Sequence, residues 1–158
     1  MDELAKRLGQ RLKAQGEKLV TAESCTGGWV AQVVTSVAGS SDWFERGFVT
    51  YSNDAKQELL GVRPSTLETH GAVSEQTARE MAQGALARSK GSIALAVTGV
   101  AGPGGGSREK PVGMVCFAWI REQDLKSETR RFSGDRESVR QQSVIRALEG
   151  VLETLAGG

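Results

Sequence analysis

The chain has 158 residues, 39% of them hydrophobic and 25% charged, a composition that suits one ordinary globular domain with a real core. Twenty basic against 19 acidic residues leave a net charge of +1, which argues against a dedicated nucleic-acid binder. No apolar run approaches the roughly 18 residues that span a bilayer, and Met1-Asp2-Glu3 is not the opening of a signal peptide, so no membrane partner and a cytoplasmic location are expected.

Leu4, Leu8 and Leu12 recur at i, i+4, with Asp2 and Glu3 in the first turn and Gly16 as the stop, and predict an N-terminal amphipathic helix. Lys18 to Ala22 reads as a short strand, and Trp29, Val30, Val33, Val34 and Val37 follow at helical spacing. Gly47 to Ser52 reads as a second strand, after which Asn53 or Asp54 caps a short helix ending at Gly61. Ser65 to His70 forms a further helical turn behind Pro64, and Ser74 caps a longer helix whose apolar face holds Ala78, Met81, Ala82, Ala85 and Leu86. Ile93 to Val97 is apolar throughout, as in a strand covered on both faces, and Val112 to Ile120 is a second such run. Ser127 to Phe132 alternates and is placed nearer an edge, joined to its predecessor as an antiparallel hairpin. The last helix runs from Asp135 to about Leu155 with Val144, Leu148, Val151 and Leu155 as its buried stripe. The fold expected is a single α/β domain over residues 1–158, a three-layer α/β/α sandwich on a mixed, mostly parallel sheet.

Thr21-Ala22-Glu23-Ser24-Cys25-Thr26-Gly27-Gly28 lies where a strand gives way to a helix. Such a turn can set a nucleophile beside the free N–H groups of a helix N-terminus, donors suited to an oxyanion. The plainer alternative is that Ser24 or Thr26 only caps the helix. Thr98 to Ser107, glycine-rich, follows a strand directly and is either a flexible turn or a place where Thr98, Gly99 and Gly102 approach a ligand. It matches neither the P-loop nor the dinucleotide fingerprint. Arg136 and Arg140 stand at i, i+4, where they face a phosphate together or form a solvated, salt-bridged face.

A serine nucleophile needs a base. His70, the lone histidine, lies in a polar stretch before Gly71 and would have to serve any triad or a Cys25–His70 pair. The other option is a neutral, desolvated lysine, for which Lys56 is the best placed. Cys25 and Cys116 are not spaced as a metal-binding pair, so no metal is expected, and free thiols suit a reducing compartment.

Three segments together resemble the C-terminal domain of the competence/damage-inducible CinA proteins, the nicotinamide-nucleotide amidase family: Thr21 to Gly28, then Gly47 to Asn53 with Lys56, then Thr98 to Pro103 through Lys110-Pro111-Val112-Gly113. The resemblance spans about Leu4 to Leu152 and is to the form of the domain that stands alone. It implies hydrolysis of the carboxamide of nicotinamide mononucleotide to nicotinic acid mononucleotide and ammonia, in pyridine-nucleotide salvage, without metal or organic cofactor. It matches the family's nucleophile to Ser24, its lysine base to Lys56 and a tyrosine of the site to Tyr51, which would position Lys56 or relay its proton. In that reading the amides of Cys25, Thr26, Gly27 and Gly28 hold the oxyanion. The glycine loop at Thr98, Gly99 and Gly102, with Arg136 or Arg140, then holds the ribose phosphate. The alternative from another class is a nucleotide-binding regulatory module without catalysis. Trp29, Trp43, Phe44 and Trp119 are many large apolar groups for a chain so poor in aromatics, and some of them exposed would favour a homodimer.

Overall fold

The structure, a computed structural model, describes residues 1–157. Helix α1 (Asp2–Ala14) carries Asp2 and Glu3 at its start and Arg11 and Lys13 at its end, charges that complement the helix dipole. Strand β1 (Leu19–Glu23) is buried at all five positions. It leads into α2 (Trp29–Thr35), and a 3-10 turn over Ser40–Asp42 then precedes β2 (Phe44–Val49). Helices α3 (Asn53–Leu60), α4 (Pro64–His70) and α5 (Glu75–Ala87) connect β2 to β3 (Ile93–Gly99). The hairpin of β4 (Met114–Arg121) and β5 (Asp124–Arg131) is followed by α6 (Arg136–Leu155).

The strand order is β2-β1-β3-β4-β5. β1 pairs in parallel with β2 and with β3, whereas β3–β4 and β4–β5 are antiparallel, so β4 alone runs against the other four. The sheet is therefore mixed, with most strands pointing one way. Its pleat sorts side chains by size. Ile93, Leu95, Val97, Val115, Phe117 and Trp119 face α1, α2 and α6, while Ala94, Ala96, Cys116 and Ala118 face α5. The alanine-rich α5 covers that small face and also packs tightly on the end of α3, where a Cβ on Gly84 would fall 1.8 Å from the carbonyl oxygen of Leu60.

Three local expectations change. The last strand begins at Asp124 and not Ser127, because the tight hairpin already pairs Asp124 with Arg121. The second strand lies earlier than its apolar stretch suggested, because Phe44 and Arg46 join the ladder with β1 and the chain leaves it after Val49. The cap of α3 is Ser52, whose Oγ accepts from the amide of Ala55 at 3.0 Å, and not Asn53 or Asp54. The caps Ser74 and Asp135 are as read.

The tryptophans from which self-association was expected are largely core. Trp43 is 3% and Trp119 4% exposed, while Trp29 and Phe44 are half-buried against the core. Each of the buried pair sits on a helix glycine: a Cβ on Gly9 would lie 2.6 Å from the Trp43 ring, and one on Gly150 2.0 Å from that of Trp119. The large apolar residues that are exposed are Val49, Tyr51 and Leu59. Among the described residues no helix is long and apolar enough to cross a membrane.

Candidate active site

Ser24 follows directly on β1, at the carboxyl ends of three parallel strands. Its amide donates to the carbonyl of Val97 at 3.0 Å, and the amide of Thr50 donates to that of Glu23 at 2.8 Å. From β1 the chain moves to β2 on one side and later returns to β3 on the other. That is the crevice in which open α/β sheets hold their ligands.

Glu23 decides how the turn is built. Its carboxylate is fully buried and accepts from Thr26 Oγ1 at 2.6 Å and from the amides of Gly28, Val30 and Ala31 at 3.2, 2.9 and 3.0 Å. A negative group there satisfies the orphan donors of α2 and complements its dipole. Neither Ser24 nor Thr26 caps the helix; Glu23 does. The amide of Gly28 is thereby removed from the expected oxyanion donors, and that of Gly27 donates to the carbonyl of Ser24 at 3.0 Å. The amides of Cys25 and Thr26 donate to no backbone carbonyl among the described residues, and that of Cys25 lies against its own thiol. Gly27 and Gly28 have φ of 59° and 103°, a left-handed bend that side-chain-bearing residues rarely adopt.

Lys56, on α3, is only 1% exposed. Its Nζ lies 3.0 Å from Ser24 Oγ, 2.9 Å from the carbonyl oxygen of Thr50 and 3.3 Å from that of Tyr51. All three neighbours are neutral, and burial lowers its pKa from the ordinary lysine value. Cys25 is buried too, and burial pushes its thiol up to about 12. His70 lies elsewhere, in a groove it shares with Arg63, Arg79 and Glu80. The Cys25–His70 pair is therefore not assembled.

A cavity of about 170 Å³ opens over the pair, lined by Ser24, Cys25, Tyr51, Lys56, Thr98, Gly99 and Arg136. Ala72, Val73 and Ala101 complete the wall and were not singled out from sequence. Thr98 Oγ1 donates to the carbonyl of Ala72 at 2.9 Å and so fixes that side. Thr26, Gly27, Gly28, Gly102 and Arg140 do not line the cavity; they support it. Arg140 donates to the carbonyls of Cys25 and Thr26 at 3.1 Å each and stacks over Trp29. The two arginines thus do not face one ligand together. Arg136 instead reaches the rim, donating to the carbonyl of Gly102 at 2.8 Å. Glu23, the residue missed, does carry a sequence signal: a carboxylate ending an otherwise uncharged buried strand must find several donors. A larger groove of about 520 Å³ between β5 and α6 does hold a lysine and a serine, Lys126 and Ser127, but Ser127 Oγ is bonded to Arg79 and Glu75, and Lys126 is an exposed side chain beside Asp124.

Comparison with known proteins places the chain among relatives of high identity. The chain is 56% identical over 149 residues to nicotinamide-nucleotide amidohydrolase PncC of Escherichia coli K12, covering 93% of this chain and 90% of that protein. It is 51% identical over 150 residues to the PncC of Pseudomonas putida, covering 95% and 94%. The crystal structure of competence/damage inducible protein CihA from Agrobacterium tumefaciens superposes with a TM-score of 0.95 at 49% identity, covering 98% of this chain and 94% of that one. The profile of the CinA C-terminal domain matches residues 1–155, and the chain belongs to that family.

Proposed function

We propose that this protein hydrolyses the exocyclic carboxamide of nicotinamide mononucleotide to nicotinic acid mononucleotide and ammonia, with Ser24 as nucleophile and Lys56 as base. The observation that carries the reading is a buried amine 3.0 Å from a serine hydroxyl at the strand-end crevice. The names of the PncC relatives support the substrate.

Neutral Lys56 takes the proton of Ser24 as Oγ attacks the carboxamide carbon. The amide of Cys25, a residue of the cavity wall, is the donor left there for the oxyanion, and removing one such donor typically costs about 10²–10³ in rate. The charged lysine returns the proton to the departing nitrogen, which leaves as ammonia. Water, deprotonated by Lys56, then cleaves the acyl-serine ester and restores the hydroxyl. Thr98, Gly99 and Arg136 contribute to binding, and Arg140 and Gly102 act behind the wall. No metal or organic cofactor takes part in this scheme.

Ammonia release from nicotinamide mononucleotide by the purified protein tests the reading, with Ser24→Ala as control. The variant should lose roughly three orders of magnitude or more in kcat while still binding the product. Binding without ammonia release in the wild type would instead make the domain a nucleotide-binding regulatory module. A cytoplasmic role in pyridine-nucleotide salvage and a homodimeric state belong to the same proposal, the latter now resting on exposed Val49, Tyr51 and Leu59. A monomer mass by light scattering at working concentration would remove the dimer.

A further inference from the structure

Tyr51 serves two neighbours with two different parts of itself. Its carbonyl oxygen lies 3.3 Å from Lys56 Nζ, but its side chain is turned outward, 62% exposed for the residue as a whole. The phenol oxygen accepts from Arg136 Nη2 at 3.3 Å, and the other arm of the same guanidinium, Nη1, donates to the carbonyl of Gly102 at 2.8 Å. The three partners of Lys56 do not include that phenol. The hydroxyl therefore lies off the proton path between Ser24 and Lys56.

Arg136 differs in its company from the five arginines of this chain that are held in ion pairs. Arg46, Arg63, Arg121, Arg130 and Arg146 each pair with a carboxylate. Arg136 takes part in none of the ion pairs among the described residues. It is held at two points by neutral oxygens, so its charge is uncompensated, and a guanidinium has five N–H groups of which these bonds use two. Such a group, fixed in orientation at the rim of a small cavity, matches the oxygen pair of a phosphate monoester.

We propose that Tyr51 is a positioning residue for Arg136, and that this pair makes the site prefer an amide substrate carrying a phosphate monoester over the same amide without it. The inference rests on the amidohydrolase reading for its substrate and on the Tyr51–Arg136–Gly102 bridge for its residues. Gly102 contributes by its carbonyl alone, from a backbone held at φ of 86°.

The test compares kcat/KM for nicotinamide mononucleotide and nicotinamide riboside in wild type, Tyr51→Phe and Arg136→Gln, with calorimetric titration of nicotinic acid mononucleotide. Tyr51→Phe should lower the preference for the phosphorylated substrate about tenfold. The loss should appear in KM, with matching weakening of product binding and no displacement of the kcat–pH inflection. Arg136→Gln should lower the preference further. An undiminished preference in Tyr51→Phe overturns the proposal, as does a fall in kcat on both substrates with a displaced inflection, the signature of a proton relay. A wild type that binds the product but releases no ammonia defeats the amidase reading alone; calorimetry of the two variants then decides the anion subsite. A wild type that binds no mononucleotide defeats the subsite as well.

Discussion

Lys56 Nζ and Ser24 Oγ stand 3.0 Å apart across 32 residues of sequence, and the other neighbours of the amine decide what that contact can do. The carbonyls of Thr50 and Tyr51 accept two of its hydrogens. In the neutral amine those are all the hydrogens there are, so the remaining direction, toward Ser24, carries the lone pair. In the ammonium form a third N–H occupies that direction and cannot accept a proton. Burial with no carboxylate among its partners favours the neutral form.

Cys25, beside the nucleophile, lacks the two things a thiol mechanism needs. Its pKa is pushed up to about 12 by burial, so the thiolate is scarce at neutral pH, and His70 lies in another groove. Cys25→Ala should keep most of the wild-type kcat, and an alkylating reagent at pH 7 should leave the native enzyme active. Complete loss of turnover in a folded Cys25→Ala would restore the thiol mechanism.

Glu23→Gln tests the carboxylate that holds the nucleophile turn. An amide has one acceptor oxygen where four donors now converge, and its own NH2 would face backbone N–H groups. Leaving buried donors unmade should cost about 1–3 kcal/mol in a urea titration. Because the same turn carries Ser24, kcat should fall as well. Wild-type stability together with wild-type kcat would show that the cap is dispensable.

Most elements were legible because each has a local cause. The i, i+4 leucines of α1, the caps Ser74 and Asp135, and the apolar run Ile93 to Val97 of β3 lie in the sequence near the residues they organise. Ser24 and Lys56 were legible as residue types, but their distance was not, since it depends on the ladder between β1 and β2. The occupation of the α2 donors was missed because a helix N-terminus reads as open until the residue filling it is known. The tryptophans were misjudged for a similar reason: Gly9 and Gly150 make their seats, and a seat on a helix appears only when the helix is packed. The roles of Arg136 and Arg140 diverge although their spacing suggested one face, because Arg140 meets the carbonyls of the nucleophile turn before it can reach the cavity.

Gly150→Ala probes one of those seats. An added methyl would lie 2.0 Å from the Trp119 ring, which is pinned by its indole N–H on the carbonyl of Ala147 at 2.9 Å and stacked on Phe117 with centroids 5.7 Å apart. Overpacking of this kind costs about 1–3 kcal/mol, against roughly 1 kcal/mol regained in helix propensity. The variant should therefore melt at a lower temperature than wild type. An equal or higher Tm would mean that Trp119 has room to move.

Lys56→Arg separates charge from basicity. A free lysine titrates near ~10.4, and burial lowers the value here. Activity should therefore rise with pH as the amine loses its proton and level off with an inflection below the ordinary lysine value. The same shift fixes the sign for stability. The unfolded chain holds the lysine proton more tightly, so between the folded and unfolded pKa values stability increases with pH. The burial penalty is full below the folded value and gone above the unfolded one. Arginine keeps the positive charge but does not give up its proton, so a charge-only role, such as holding phosphate, predicts an active Lys56→Arg. A base role predicts an inactive protein that still binds nicotinic acid mononucleotide, with no pH at which activity returns. Near-normal turnover in Lys56→Arg would sink the serine–lysine mechanism, whatever the distance between the two side chains.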